Sequence, residues 1–218
     1  MSLDVADLPL VGGHPALDLV NTVTPRVPVR GELPHDHLLD PAALLAWARR
    51  TDVVDDAEAD AVEDAWRHEP AAGHTALSAA REIRDALHTT LLAATGIGPR
   101  DDAVTGPALE RLHARWAASV GRSALVLGAD PPVRVAVGLT AALLIPDRVA
   151  DLALELLRTG ELTRLRQCPP QAGGCGWLFL DRSRNGSRRW CRMADCGTEV
   201  KTRRLTERRR VIREQSYR

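Results

Sequence analysis

The chain has 218 residues, 44% of them hydrophobic but only 3% aromatic, and its 29 Lys/Arg balance 29 Asp/Glu. That length suits one good core, or a core with a small appendage, and no apolar run approaches the ~20 residues a membrane span needs. The opening MSLDVADLPL carries two aspartates and no basic residue, so it does not read as a secretory signal, and the cytoplasm is the expected compartment.

The first unusual stretch is GGHPALDLVNTV. A helix from about Pro15 sets His14 and Asp18 four residues apart and Asp18 and Asn21 three apart, on one face. Polar groups sharing a face with apolar neighbours can line a ligand pocket. The alternative is a buried cap and hydrogen-bond network that fixes how the chain joins the core. Asp40 and Pro41 then read as N-cap and first turn of a helix that buries Leu44, Leu45 and Ala48. In DDAEADAVEDAWRHEP, Ala59, Val62 and Trp66 fall at helical spacing opposite the acids. The longest helix is expected from about 75 to 94, with Ala76, Ala80, Ile83, Leu87 and Leu91 as its stripe and Gly96 at its end. Pro107 is expected to open the next, with Leu109, Leu112 and Trp116 inward. The period then changes: Val133, Val135, Val137 and Leu139 alternate, which predicts a hairpin turning near residues 129–132. Helical spacing returns in DRVADLALELL and stops at Gly160. The fold class is therefore mainly α with a small β hairpin (α+β).

The zero net charge hides a split. Residues 1–157 hold 13 Lys/Arg against 23 Asp/Glu, whereas residues 158–218 hold 16 against 6. An acidic body carrying a basic module suggests an anionic partner; two halves attracting each other would give the same count. The boundary near residues 158–166 is marked by charge alone, giving a mostly helical domain over residues 1–160 and a basic module over 161–218.

All four cysteines lie in that module. Six residues separate Cys168 from Cys175, four separate Cys191 from Cys196, and fifteen lie between the pairs. Two close pairs on two turns suit a tetrahedral ion. All seven histidines lie at or before His113, so a site here is built from four thiolates. Zinc fits such a closed set best, with an iron–sulfur cluster and two disulfides as the alternatives. No Cys-x-x-Cys occurs, which argues against a thioredoxin-like redox site. Trp177, Phe179, Asp181, Ser183 and Asn185 recur at every second position, an extended-strand pattern.

These residues carry a resemblance. CGWLFLDRSRNGSRRWCRMADCG followed by Lys201 resembles the CGNR-type zinc finger, whose pattern runs Cys, Trp, Phe, Asp, Ser, Asn, Arg, Trp-Cys, Met, Cys-Gly. The upstream GGHPALDLVNTV resembles the opening of the ABATE domain, which precedes this finger in bacterial stress-induced transcription regulators. The resemblance implies one structural zinc on Cys168, Cys175, Cys191 and Cys196 and DNA binding by the finger. The chain departs from it at Cys196-Gly197-Thr198-Glu199, where the family has Cys-Gly-Asn-Arg. Thr198 and Glu199 still suit the start of a last helix, as cap and as an anion at the positive end of its dipole.

Arg182, Arg184, Arg188, Arg189 and Arg192 fall on a short loop in which Asn185-Gly186 reads as a tight turn. In the terminal helix Leu205 and Ile212 form a narrow apolar stripe, with Lys201, Arg203, Arg208 and Arg210 away from it or flanking it. Between residues 182 and 208 nine Lys/Arg, Arg204 among them, face three acids. A solvated face accounts for any one of them; together they read as an interface with duplex phosphates, to which Asn185 belongs by position. Few aromatics are interleaved, so stacking on single strands is not expected.

No nucleophile elbow, phosphate-cradling glycine loop or His-Glu-x-x-His occurs, and a four-thiolate zinc has no open position, so no enzyme is expected. The expected function is a zinc-dependent, DNA-binding transcription regulator. The expected partners are duplex DNA, a small-molecule effector of the body by analogy with two-part regulators, and a second copy of the chain in a homodimer, with no membrane. The alternative is a zinc-stabilised adaptor that docks on an acidic protein.

Overall fold

Capping chemistry sets most of the helix starts. The computed structural model describes residues 4–28, 31–158, 161–198, 201, 202 and 206. Helix α1 (Pro15–Val20) follows His14, whose Nδ1 accepts from Ala16 N at 3.2 Å. Strands β1 (Val23–Thr24) and β2 (His35–Asp36) pair antiparallel. Helix α2 (Pro41–Arg50) starts behind Asp40 as expected, and α3 (Asp56–His68) behind Asp55 in a full capping box with Glu58.

Helix α4 (Pro70–Thr95) begins five residues before the expected start, because Pro70 takes the first turn and Gly73 packs where a side chain would not fit. A Cβ on Gly73 would lie 3.2 Å from both Pro41 and Trp66. Gly96 ends the helix with φ 68°, the left-handed cap anticipated for it. Helix α5 (Asp102–Gly121) also starts early: Asp101 caps it, and Pro107 sits inside it rather than opening it. Its buried stripe follows Ala108, Leu112 and Ser119, which turns Leu109 outward (48% exposed) and leaves Trp116 only half-buried.

Strands β3 (Ala124–Leu127) and β4 (Val133–Ala136) form the expected hairpin, in the register Leu125↔Val135 and Leu127↔Val133. Those four apolar residues share the solvent face, while the smaller Ala124, Val126 and Ala136 are half-buried. Helix α6 (Leu144–Arg158) begins three residues before Asp147; Gly160, expected to stop it, lies outside the described residues. Helix α4 runs through the centre, with α5, α6, α1, α2 and α3 packed against it. Asp147, buried on α6, pairs with Arg122 at the end of α5, and Arg148 pairs with Glu58 on α3.

Strand β5 (Leu165–Gln167) pairs antiparallel with β6 (Leu178–Leu180). The long alternating strand expected from 177 to 185 is cut to three residues, and Leu178, Phe179 and Leu180 are all buried. Alternation fails because β6 is covered on both faces. Its second edge is closed by the N-terminal segment: Asn21 Nδ2 donates to Leu178 O and Leu178 N donates back to Asn21 Oδ1, both at 2.9 Å. Leu180 N donates to Gly12 O at 2.9 Å, and Trp177 Nε1 donates to Val23 O at 2.9 Å. An edge that would otherwise expose unpaired groups is thus satisfied by side chain and loop. The buried core runs without a break from Val5 through α4 and α6 to Trp177, Phe179 and Cys191.

Candidate metal centre and basic loop

The connection between β5 and β6 is the first cysteine loop. Cys168 N donates to Trp177 O (2.8 Å) and Gly176 N to Cys168 O (3.1 Å), which extends the hairpin around the sulfurs. Gly174 N returns to Pro169 O at 2.9 Å, and a Cβ on Gly174 would lie 2.7 Å from Cys168 Sγ. Only a glycine allows the chain to pass so close to the sulfur. The second pair is set differently. Cys191 is buried, and Cys196 lies in a single π-turn over Met193–Gly197. That turn is where the last helix starts, five residues before the expected cap. Thr198 Oγ1 instead donates back to Met193 O at 3.0 Å, and Glu199 lies outside the described residues.

The four Sγ atoms lie within 4.8 Å of one another, with Cys175–Cys191 at 3.4 Å and Cys191–Cys196 at 3.7 Å. A tetrahedron with Zn–S bonds of about 2.3 Å has edges of roughly 3.8 Å, so the set matches one zinc ion. No sulfur is in a disulfide. Hydrogen bonding from Cys175 pulls Cys168 down, while Cys168 in turn holds Cys175 and Cys191 up. Four sulfurs this close cannot all ionise without a counter-charge, and a divalent cation supplies it. With four protein ligands and no open position, such an ion is structural.

Between the cysteine pairs, Asp181 organises the loop. It is 2% exposed; its Oδ1 accepts from Ser183 N (2.9 Å) and Oγ (2.6 Å), and its Oδ2 from Arg188 N at 2.9 Å. The Ser183 hydroxyl holds this carboxyl below its ordinary range. Gly186 turns the chain at φ 59°, as the Asn-Gly pair predicted. Arg182, Arg184, Asn185, Arg189, Arg192 and Lys201 are all exposed. Arg189 rests over Trp190 at 5.4 Å, and Arg192 lies 3.4 Å from Asp195.

Arg188 is placed otherwise. Its guanidinium lies 4.3 Å from the Phe179 ring and donates to Trp190 O (3.1 Å), Val11 O (3.2 Å) and Cys191 O. It joins the loop, the second cysteine pair and the N-terminal segment, and these donors face inward. Arg203, Arg204 and Arg208, with Leu205 and Ile212, lie outside the described residues.

His14, Asp18 and Asn21 form the cap and hydrogen-bond network, each committed to the chain itself. His14 caps α1, Asp18 Oδ1 accepts from Gly12 N at 2.8 Å, and Asn21 holds Leu178. Burial pushes Asp18 up to about 6 against these bonds. Asp181 as loop organiser and the Asn21–Leu178 clamp were not anticipated. The first had a local signal in Asp-x-Ser; the second joins residues 157 positions apart and had none.

Two family models match the chain. One, described as "ABATE: Putative stress-induced transcription regulator", covers residues 13–160, and the other, described as "CGNR zinc finger", covers residues 164–209. Neither description is of an enzyme class. No curated protein matches. Among the described residues no helix is long and apolar enough to cross a membrane.

Proposed function

The chain belongs to the ABATE family and carries a CGNR zinc finger, and from that premise we propose that it is a transcription regulator whose finger binds duplex DNA through the loop between the cysteine pairs. The observation that carries this reading is the division of labour among the loop arginines. Arg188 braces the loop from inside, so Arg182, Arg184 and Arg189 stand exposed on a segment fixed at both ends by cysteine pairs. A held cationic loop meets phosphates without first losing its own freedom. Lys201 and Asn185 extend the same exposed set.

Zinc serves this function by holding the two cysteine turns in register. The chemistry is electrostatic: counterion release gives affinity for any duplex, and contacts to base edges would give sequence preference. Selection of bound sequences from a random duplex pool, with and without chelator, tests the reading. Enrichment that chelator abolishes is expected. Failure to retain any duplex at low salt, with retention of an acidic protein instead, would transfer the finger to an adaptor role.

A further inference from the structure

The hairpin β3–β4 is built inside out. Leu125, Leu127, Val133 and Val135 are between 51% and 90% exposed, whereas Ala124, Val126 and Ala136 on the opposite face are half-buried. A sheet with one face on the body ordinarily turns its larger apolar side chains inward and polar ones to water. A slip of one residue would exchange the faces, yet the register Leu125↔Val135 and Leu127↔Val133 holds both leucines outward. The inner face is the one toward α3. There the Glu58 carboxyl, held below its ordinary range first by Arg148, is also lowered by the charge of Arg134 on β4.

The pairing makes the outer residues one patch. Gly128 N donates to Pro132 O at 3.0 Å, so the hydrogen-bonded pairs that follow are 126↔134 and 124↔136. Leu125–Val135 and Leu127–Val133 therefore occupy the non-hydrogen-bonded positions, where side chains across the hairpin lie closest. The four form a two-by-two apolar cluster that carries no charge. Their main-chain N–H and C=O groups point out along the two open edges, where no other segment of the chain pairs with them.

We propose that this face is the interface of a homodimer, in which the hairpins of two copies pack face to face about a two-fold axis. Charge argues for a second copy over other occupants. An uncharged face offers nothing to an acidic protein or a nucleic acid, and a body with 13 Lys/Arg against 23 Asp/Glu through residue 157 opposes an anionic lipid surface. Shape agrees: with the axis along the strands, each β3 leucine of one copy faces a β4 valine of the other, large against small, as a self-complementary interface requires. Four residues exposed to this degree offer roughly 400–500 Å² per copy, within the range of functional patches. A pair would bury about twice that, close to the ~1,000 Å² lower bound of a specific interface. The dimer is accordingly weak and reversible, with Kd on the order of 10 µM. Two acidic bodies repel, so salt that screens them tightens this dimer, whereas it would loosen one made by attraction between body and finger. The interface needs nothing from the finger; if the finger binds duplex as proposed above, each dimer brings two fingers to one DNA.

Sedimentation equilibrium of the zinc-loaded full chain, from about 1 to about 200 µM and at about 0.05 and 0.3 M NaCl, tests the interface. A monomer–dimer equilibrium that tightens at the higher salt is expected. Leu127→Glu is expected to weaken dimerisation at least about tenfold while leaving zinc content and the Tm of dilute protein unchanged, because this side chain is 90% exposed in the single chain. Leu127→Thr, which keeps strand propensity, is expected to weaken it about threefold or more. A monomer over the whole range overturns the dimer, and capture of that monomer by phosphatidylcholine vesicles would give the face to lipid instead. A dimer unchanged in either folded variant, or one that dissociates as salt rises, overturns this interface. No duplex is present, so these failures are distinct from failure of the finger to bind DNA.

Discussion

Replacing Asn21 with Ala separates two roles for one side chain. In the structure Asn21 is 2% exposed and closes the free edge of β6, donating to Leu178 O and accepting from Leu178 N, both at 2.9 Å. Alanine leaves both main-chain groups buried without partners. Each such orphan costs about 1–3 kcal/mol, so the substitution is expected to lower stability by roughly 2–5 kcal/mol, which for a chain of this size is a fall in Tm of about 5–15 °C. Because Leu178 lies three residues beyond Cys175 in the same hairpin, zinc should also pass to a chelator faster. Denaturant titration of the zinc-loaded protein, followed by tryptophan fluorescence and far-ultraviolet dichroism, measures the first effect; a colorimetric chelator measures the second. If Asn21 instead served a ligand pocket, the variant would keep its stability and its zinc. A loss below about 1 kcal/mol with unaltered zinc transfer would refute the clamp.

Three further outcomes follow from the same geometry. Arg189→Ala is expected to weaken binding to all duplexes alike and to reduce the salt slope by about one, whereas Arg188→Ala, which removes bonds to Val11 O and Cys191 O, should lower Tm; equal Tm values for the two variants would contradict the assigned division. Cys191→Ser should reduce zinc from one per chain and, because the core is continuous, weaken the helical body too; an unchanged helical transition after zinc loss would show that the body stands alone. Burial raises Asp18 to about 6, so its contribution to stability is full below pH 3.8 and is lost as pH rises through 6. Asp18→Asn, which keeps an acceptor for Gly12 N, should therefore gain on the parent by up to about 2–3 kcal/mol between pH 4 and pH 7; urea titrations showing a pH-independent difference would contradict the buried carboxylate.

The helices and the cysteine cluster were legible because their determinants are local. Asp40-Pro41 and Gly96 carry their caps in their own residue types, and four thiols without a nearby histidine define a metal set before any fold is known. Starts governed by context were misplaced. Gly73 reads as a weak helix residue until Trp66 and Pro41 are packed against it, and Pro107 reads as an opener until Asp101 takes that place. The alternation through Trp177 and Phe179 gave the strand but not its length, because burial on both faces removes the period. Arg188 was indistinguishable from Arg189 in sequence. Only Phe179 behind it and Val11 O beside it separate the two.

The closing of β6 by Asn21 also orders events in time. The segment around Asn21 leaves the ribosome before its partner Leu178, which lies 157 residues later, about 8–30 s at ordinary rates of synthesis. Until then α1 can already pack on α4 and α6, but the side-chain amide of Asn21 has no partner. Closing of this last edge and metal capture by the cysteines that flank it are thus both late, and are expected to fall together.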